Sequence, residues 1–292
     1  MILSKNTGNL GCINRQFNKS LVSCYDFVRI ILDEVTDANS KSIKTTCFEI
    51  PQDFTFPDFS VIEDGSIEME IIWDLSNYLR KNSHRIFFFL PGYYFLGSQM
   101  DEVVSKTKST ITSISEFLEM LGIRSTSIIL RVGSAYGSRK TTMERFNSEL
   151  NSFEHRIKRL ISVTNDEKPS LFSVTDLLSG VYYQTKVPIC FRFLAHTFNN
   201  GGLSYKEALF LSCSTWPDGE IPAFIYSESS DIDENGGFAS AKSSLKLNHR
   251  IPTFGLETDV IIDSEKSKEA CVRYMMEKNS LGPIVINKIS KK

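Results

Sequence analysis

The chain of 292 residues, 41% hydrophobic and 23% charged, reads as an ordinary globular protein with apolar material for one large core or two smaller ones. Its net charge of −2 excludes a whole-molecule field as the basis of nucleic-acid binding and leaves only a local patch. Six scattered cysteines without a CxxC pair point to reduced thiols, and no apolar run approaches the roughly 18 residues of a membrane span, so a soluble cytoplasmic protein is expected.

From the N-terminus, apolar runs of strand length fall at residues 8–13 and 43–50. A third run, 85–90, precedes a segment from Met100 to Leu121 in which Val103, Val104, Ile111, Ile114, Phe117 and Leu118 share one face. With Gly122 as its stop, this spacing predicts a long helix. The fourth run, 127–132, leads through a turn containing Gly133, Ala135, Tyr136 and Gly137 into a helix expected to open at Met143. The fifth and sixth runs lie at 160–164 and 187–194, with a weaker helical pattern at 204–211. After the seventh run, 221–226, the polar stretch 227–246 has no periodicity and reads as a long loop. The eighth run, 259–263, is followed by a helical pattern over 266–276. Eight strands alternating with helices in a chain near the typical length of about 250 residues predict a closed (β/α)8 TIM barrel, here one domain over residues 1–292. The rival, a doubly wound nucleotide-binding sheet, lacks its Gly-x-Gly-x-x-Gly turn and any P-loop.

A barrel of this kind carries its chemistry at the C-terminal ends of its strands. The third strand ends Phe88-Phe-Leu-Pro-Gly-Tyr-Tyr-Phe95, and the fourth Ser127-Ile-Ile-Leu-Arg-Val-Gly-Ser-Ala-Tyr-Gly-Ser-Arg-Lys140. The fifth ends Val163-Thr-Asn-Asp-Glu167, and the sixth runs Val187-Pro-Ile-Cys-Phe-Arg-Phe-Leu-Ala-His196. Further on come Pro222-Ala-Phe-Ile-Tyr-Ser-Glu-Ser229, Asn248-His-Arg-Ile251 and Asp259-Val-Ile-Ile-Asp263. In order and kind these segments resemble the motifs of the UV-damage endonucleases, within the xylose-isomerase-like barrel superfamily, and the resemblance runs through nearly the whole chain. It implies a barrel that kinks damaged duplex DNA and nicks the backbone 5′ of the lesion, using two or three divalent ions such as manganese.

Residue by residue, the resemblance keeps the frame and replaces the ligands. Leu90, Arg131, Thr164, Arg192, Ala195 and Ile225 stand where the family has histidines and carboxylates. Asp263 stands for a terminal glutamate, and His196 and His249 match family histidines, so these three are the residual candidate metal donors. His249 and Asp263 are the remaining candidates for catalysis. No cofactor is expected, Mn2+ or another divalent metal being needed only where nicking persists. Tyr94 matches the lesion-probing tyrosine, and Tyr93 takes the place of a glutamine; with Tyr136 and Lys140 they are the candidate contacts to UV-damaged double-stranded DNA. Arg131 and Arg192 put guanidinium groups where the family would hold cations. They either pair with Asp166, Glu228 or Asp263 in a structural network or bind a DNA phosphate bidentately. Arg80, Lys81, Arg85, Arg139, Lys140, Arg156, Lys158 and Arg159 form a candidate DNA-tracking patch that reads equally as solvated helix faces. Two functions stay open: a DNA-repair-related protein that binds damaged duplex with its nicking weak or lost, and a catalytically inactive barrel reused as a structural or interaction protein, as in a viral particle or regulatory complex.

Overall fold

Period-two alternation of apolar residues produces eight short strands: β1 (Leu10–Asn14), β2 (Thr45–Glu49), β3 (Arg85–Phe89), β4 (Ile128–Arg131), β5 (Ile161–Thr164), β6 (Phe191–Arg192), β7 (Ala223–Tyr226) and β8 (Asp259–Ile262). The computed structural model describes residues 8–15, 17, 23–135, 137–228 and 250–278. All the strands are parallel, in the order β5-β4-β3-β2-β1-β8-β7-β6. Between the two ends of that order, the Val163 amide donates to Pro188 O at 2.9 Å and the Cys190 amide donates to Val163 O at 2.8 Å. The sheet thus closes into the expected (β/α)8 barrel.

The connecting helices are α1 (Cys24–Ser40), α2 (Ile67–Asn82), α3 (Asp101–Met120), α4 (Arg139–Asn151), α5 (His155–Lys158), α6 (Val174–Leu177), α7 (Tyr183–Thr185), α8 (Phe193–Phe198), α9 (Tyr205–Cys213) and α10 (Ser267–Glu277). Several starts are fixed by side-chain caps. Ser66 accepts from the Met69 amide, Ser204 and Glu207 form a reciprocal capping box, and Ser138 accepts from the Thr141 amide. The Ser138 cap starts α4 at Arg139, one turn before the expected Met143. The sixth strand is also shorter than residues 187–194. Pro188 has no N–H for the ladder, and after Arg192 the chain winds at once into α8.

Alternation divides the apolar residues into an inside and an outside. Ile13, Cys47, Phe87, Phe89, Ile129, Cys190, Ala223, Ile225 and Ile261 fill the barrel, with Trp216 closing the set and donating its indole N–H to Ile189 O at 2.9 Å. Outside, the helices bury a phenylalanine-rich layer. The rings of Phe17, Phe54, Phe56, Phe59 and Phe117 surround Phe27 at centroid distances from 5.1 to 6.0 Å, a packing in which truncation of one ring costs about 3–5 kcal/mol.

The N-terminal end of the barrel is sealed by charge. Arg85 Nη1 lies 2.7 Å from Asp259 Oδ2, and the same carboxylate accepts from Thr45 Oγ1 at 3.1 Å and from the Asn9 amide at 2.9 Å. Arg85 also donates to Ile221 O and lies over the Phe87 ring. Arg85 therefore leaves the candidate DNA-tracking patch, because its side chain points into the barrel floor.

Candidate functional site

Continuing the same alternation past the strand ends places Arg15, Glu49, Phe89, Arg131, Thr164, Arg192 and Asp263 around the C-terminal mouth. They form two ion-pair groups. In the first, Arg15 Nε is 2.9 Å from Glu49 Oε2 and Arg15 Nη2 is 2.5 Å from Asp263 Oδ1, while Nη1 donates to Ser264 O. In the second, Arg131 Nε is 3.2 Å from Asp166 Oδ1 and its Nη2 donates to Glu167 Oε2 at 2.6 Å. Arg192 Nη1 reaches that same Glu167 oxygen at 3.2 Å, and its guanidinium carbon lies 6.0 Å from the centre of the Phe89 ring.

Glu167 was not anticipated as a partner. Of the three carboxylates expected for the network, Asp166 takes part; Asp263 belongs with Arg15, and Glu228 accepts from Tyr226 Oη at 3.0 Å. The signal that could have found Glu49 and Arg15 is period two: each stands two residues beyond an inward residue, Cys47 or Ile13. Glu167 lies beyond its strand, where that rule no longer applies.

The environment sets the charges apart. Burial pushes the Asp166 carboxyl up to about 6, against the pull of Arg131 and Arg192. For Glu167 burial acts in the same upward sense, but Arg131 and Arg192 outweigh it and hold the carboxyl below its ordinary range. Burial and then the neighbouring Arg131 lower the Arg192 guanidinium, while around Arg15 the pull of Asp263 and Glu49 exceeds burial and raises it.

Directly below, Asn165 joins the barrel's closing strands. Its Oδ1 accepts from the Arg192 amide at 2.8 Å and its Nδ2 donates to Arg192 O at 3.1 Å, so one side chain supplies both halves of a ladder pair between β5 and β6. Gly133, just after β4, has φ +119°, and a Cβ there would lie 2.9 Å from the Phe95 ring. Only glycine allows that turn without strain.

The remaining candidate residues scatter. Leu90 packs in the outer layer, and Phe89 is the inward-facing third-strand residue nearest the mouth. Ile225 fills the barrel, and Ala195 is buried in α8. Thr164 is buried at the mouth without a hydrogen-bond partner for its hydroxyl. His196 is turned away into α8 and α9: its Nε2 is 3.1 Å from Leu203 O and its ring meets Phe191 and Tyr205. The expected aromatic pair divides. Tyr93 is 53% exposed, whereas Tyr94 is buried with its hydroxyl donating to Pro51 O at 2.9 Å, because the turn at Pro91 directs the two rings oppositely. Lys140 stands on the exposed first turn of α4, 3.9 Å from Glu144. Tyr136, His249 and most of the loop expected at 227–246 lie outside the described residues.

The candidate basic patch also divides between the two poles. Arg139 and Lys140 begin α4, near the mouth, and Arg139 pairs with Asp176. Arg80 and Lys81 end α2, and Arg156, Lys158 and Arg159 precede β5, all at the opposite end, where Arg156 pairs with Glu119 and Glu154. A single duplex backbone does not follow both poles.

A divalent ion does not fit these side chains. Among the described residues no three His, Cys, Asp or Glu side chains gather as a ligand set. The mouth carboxylates instead meet guanidinium groups, and two of those fixed cations occupy positions where the resemblance places metal ligands.

Fold and site define a parallel (β/α)8 barrel with a charged, arginine-bearing C-terminal mouth. The model of the UV-endonuclease UvdE family matches residues 68–291, and the chain belongs to that family. It is 27% identical over 219 residues to a protein of Acanthamoeba polyphaga mimivirus whose name assigns it to the UV-damage endonucleases, covering 73% of this chain and 65% of that one. It is 24% identical over 214 residues to the UV DNA damage endonuclease of Clostridium perfringens (strain 13 / Type A), covering 70% and 51%. The matched region thus spans between about half and just under two thirds of the length of these curated relatives. Among solved structures, SacUVDE superposes with a TM-score of 0.74 at 20% identity, covering 94% of this chain and all of that one. Endonuclease IV from Thermus thermophilus superposes at 0.52 with 11% identity, over 93% and 99%. These likenesses establish the shared barrel. No helix among the described residues is long and apolar enough to cross a membrane.

Proposed function

We propose that this chain binds damaged duplex DNA across the mouth of its barrel, as a member of the UV-endonuclease family whose nicking is weak or lost. The observation that carries this reading is the replacement of ligand positions by guanidinium groups, Arg131 and Arg192, at the ends of β4 and β6. Such groups retain positive charge toward a phosphodiester but cannot generate a metal-bound hydroxide. Among the described candidates, Tyr93, exposed on the loop after β3, is the aromatic placed to stack beside an unpaired base.

The test uses a duplex with one defined photoproduct, assayed for binding and nicking with manganese and with chelator. The expected result is a preference for the damaged duplex that survives chelator, without strand cleavage. Replacing Tyr93 with alanine reduces that preference about tenfold, the loss of one stacking contact of roughly 1–3 kcal/mol. Manganese-dependent nicking overturns the loss of chemistry, and equal affinity for damaged and intact duplex turns the reading to a barrel reused as an interaction protein.

A further inference from the structure

The two mouth arginines next to Glu167 are engaged differently. A guanidinium carries two parallel donor pairs that match two oxygens of a phosphate, the side-on Nε–H and Nη2–H edge and the end-on Nη1–H and Nη2–H pair. In Arg131 the Nε–Nη2 edge faces carboxylates, Nη2 bonding Glu167 and Nε lying 3.2 Å from Asp166 without a hydrogen bond. In Arg15 it is filled by Glu49 and Asp263. In Arg192 the Glu167 contact is made through Nη1, and among the described residues no hydrogen bond engages Nε or Nη2. The Arg192 side chain keeps 12% exposure at the mouth.

We propose that the Nε–Nη2 edge of Arg192 is a phosphate-binding fork, aimed by Glu167 and Arg131 and working without a metal ion. Glu167 is held by two cations and fixes Arg192 by its far nitrogen. The backbone of Arg192 is pinned independently by Asn165, which limits how far the side chain swings. Arg131 supplies a second positive charge beside the fork while its own edge stays with Asp166 and Glu167. The arrangement suits a phosphate oxyanion, as a free phosphate group or as part of a nucleic-acid backbone. It deepens the DNA-binding reading by naming the atoms that meet the backbone, yet it stands without lesion recognition because inorganic phosphate is a sufficient probe.

Calorimetric titration of the whole chain with inorganic phosphate, in chelator, tests it. The expected result is saturable binding that falls about tenfold in Arg192→Lys, which keeps the charge and loses the fork, and changes by less than about twofold in Arg15→Lys, whose edge is already filled. Binding to a short undamaged duplex follows in parallel. A salt slope lowered by about one in Arg192→Lys assigns the fork to a backbone phosphate, and an unchanged slope with weakened phosphate binding assigns it to a small phosphate ligand; both support the fork. Should Arg192→Lys fail to fold, the Nε–H resonances of the unaltered protein decide, since phosphate must shift that of Arg192 and spare those of Arg15 and Arg131. Equal losses in the two lysine variants, no phosphate binding at all, or a shift at every mouth arginine overturns the proposal.

Discussion

Asp166 and Glu167 are neighbours in sequence and face the same guanidinium groups, but their carboxyls are displaced in opposite directions. The difference lies in hydration: the Asp166 side chain is 2% exposed and that of Glu167 26%. Because the folded-state value of Asp166 is raised from 3.8 to about 6, the folded protein holds the extra proton. Its favourable contribution is complete below about pH 4 and is lost as pH rises through about 6. Asp166→Asn imitates the protonated form, so it is expected to stabilise the protein above pH 6 by up to about 3 kcal/mol, two units of displacement at 1.36 kcal/mol each, and to flatten stability between pH 4 and 6. Urea denaturation at pH 4, 5 and 7 checks this. Glu167 acts in the opposite sense: its contribution is present above the ordinary carboxylate range and fades as pH falls below it.

At the scale of elements, the joint between β5 and β6 is the weakest step in the sheet. β6 has two residues, and the joint rests on two backbone hydrogen bonds and the Asn165 side chain. Asn165→Leu leaves the Arg192 amide without its partner, at a cost of about 1–3 kcal/mol, while the Arg192 carbonyl, as the N-cap of α8, still accepts within the helix. A loss of about 1–3 kcal/mol is expected in denaturant unfolding, with faster hydrogen exchange at the Val163 and Cys190 amides than at β1 and β2. Equal exchange rates would mean that the joint closes without the side chain. The short sixth strand was not legible in the run 187–194, because an apolar segment does not reveal where the chain leaves the sheet for α8.

For the whole molecule, the floor contact at Asp259 gathers the lower ends of four strands: the Asn9 amide before β1, Thr45 of β2, Arg85 of β3 and its own β8. Asp259→Ala removes the only charge opposite Arg85 among the described contacts and is expected to cost about 3–5 kcal/mol, read as a lower midpoint with unchanged slope in denaturant. The barrel itself was legible in the sequence, because the rhythm of apolar runs records each strand that must face both a filled interior and a helical layer. The two charged ends were not. Arg85 reads as part of a basic patch or a solvated helix face, and Asp259, Arg15 and Glu49 carry no reading of their own, until eight strands bring them together across separations as long as Asn9 to Asp259. The resemblance located Arg131 and Arg192 but not their common partner, and adjacency alone could not tell that Tyr94 turns inward while Tyr93 stays in solvent.

Asn165 and Asp166 directly follow Thr164, the fifth-strand position where the resemblance places a metal ligand. Asn165 fastens the joint of the barrel, and Asp166 braces Arg131. Both tasks are mechanical and need no metal ion. An asparagine-aspartate pair at this strand end therefore reports an intact barrel, and a sequence that keeps it has given no evidence that it still cuts DNA.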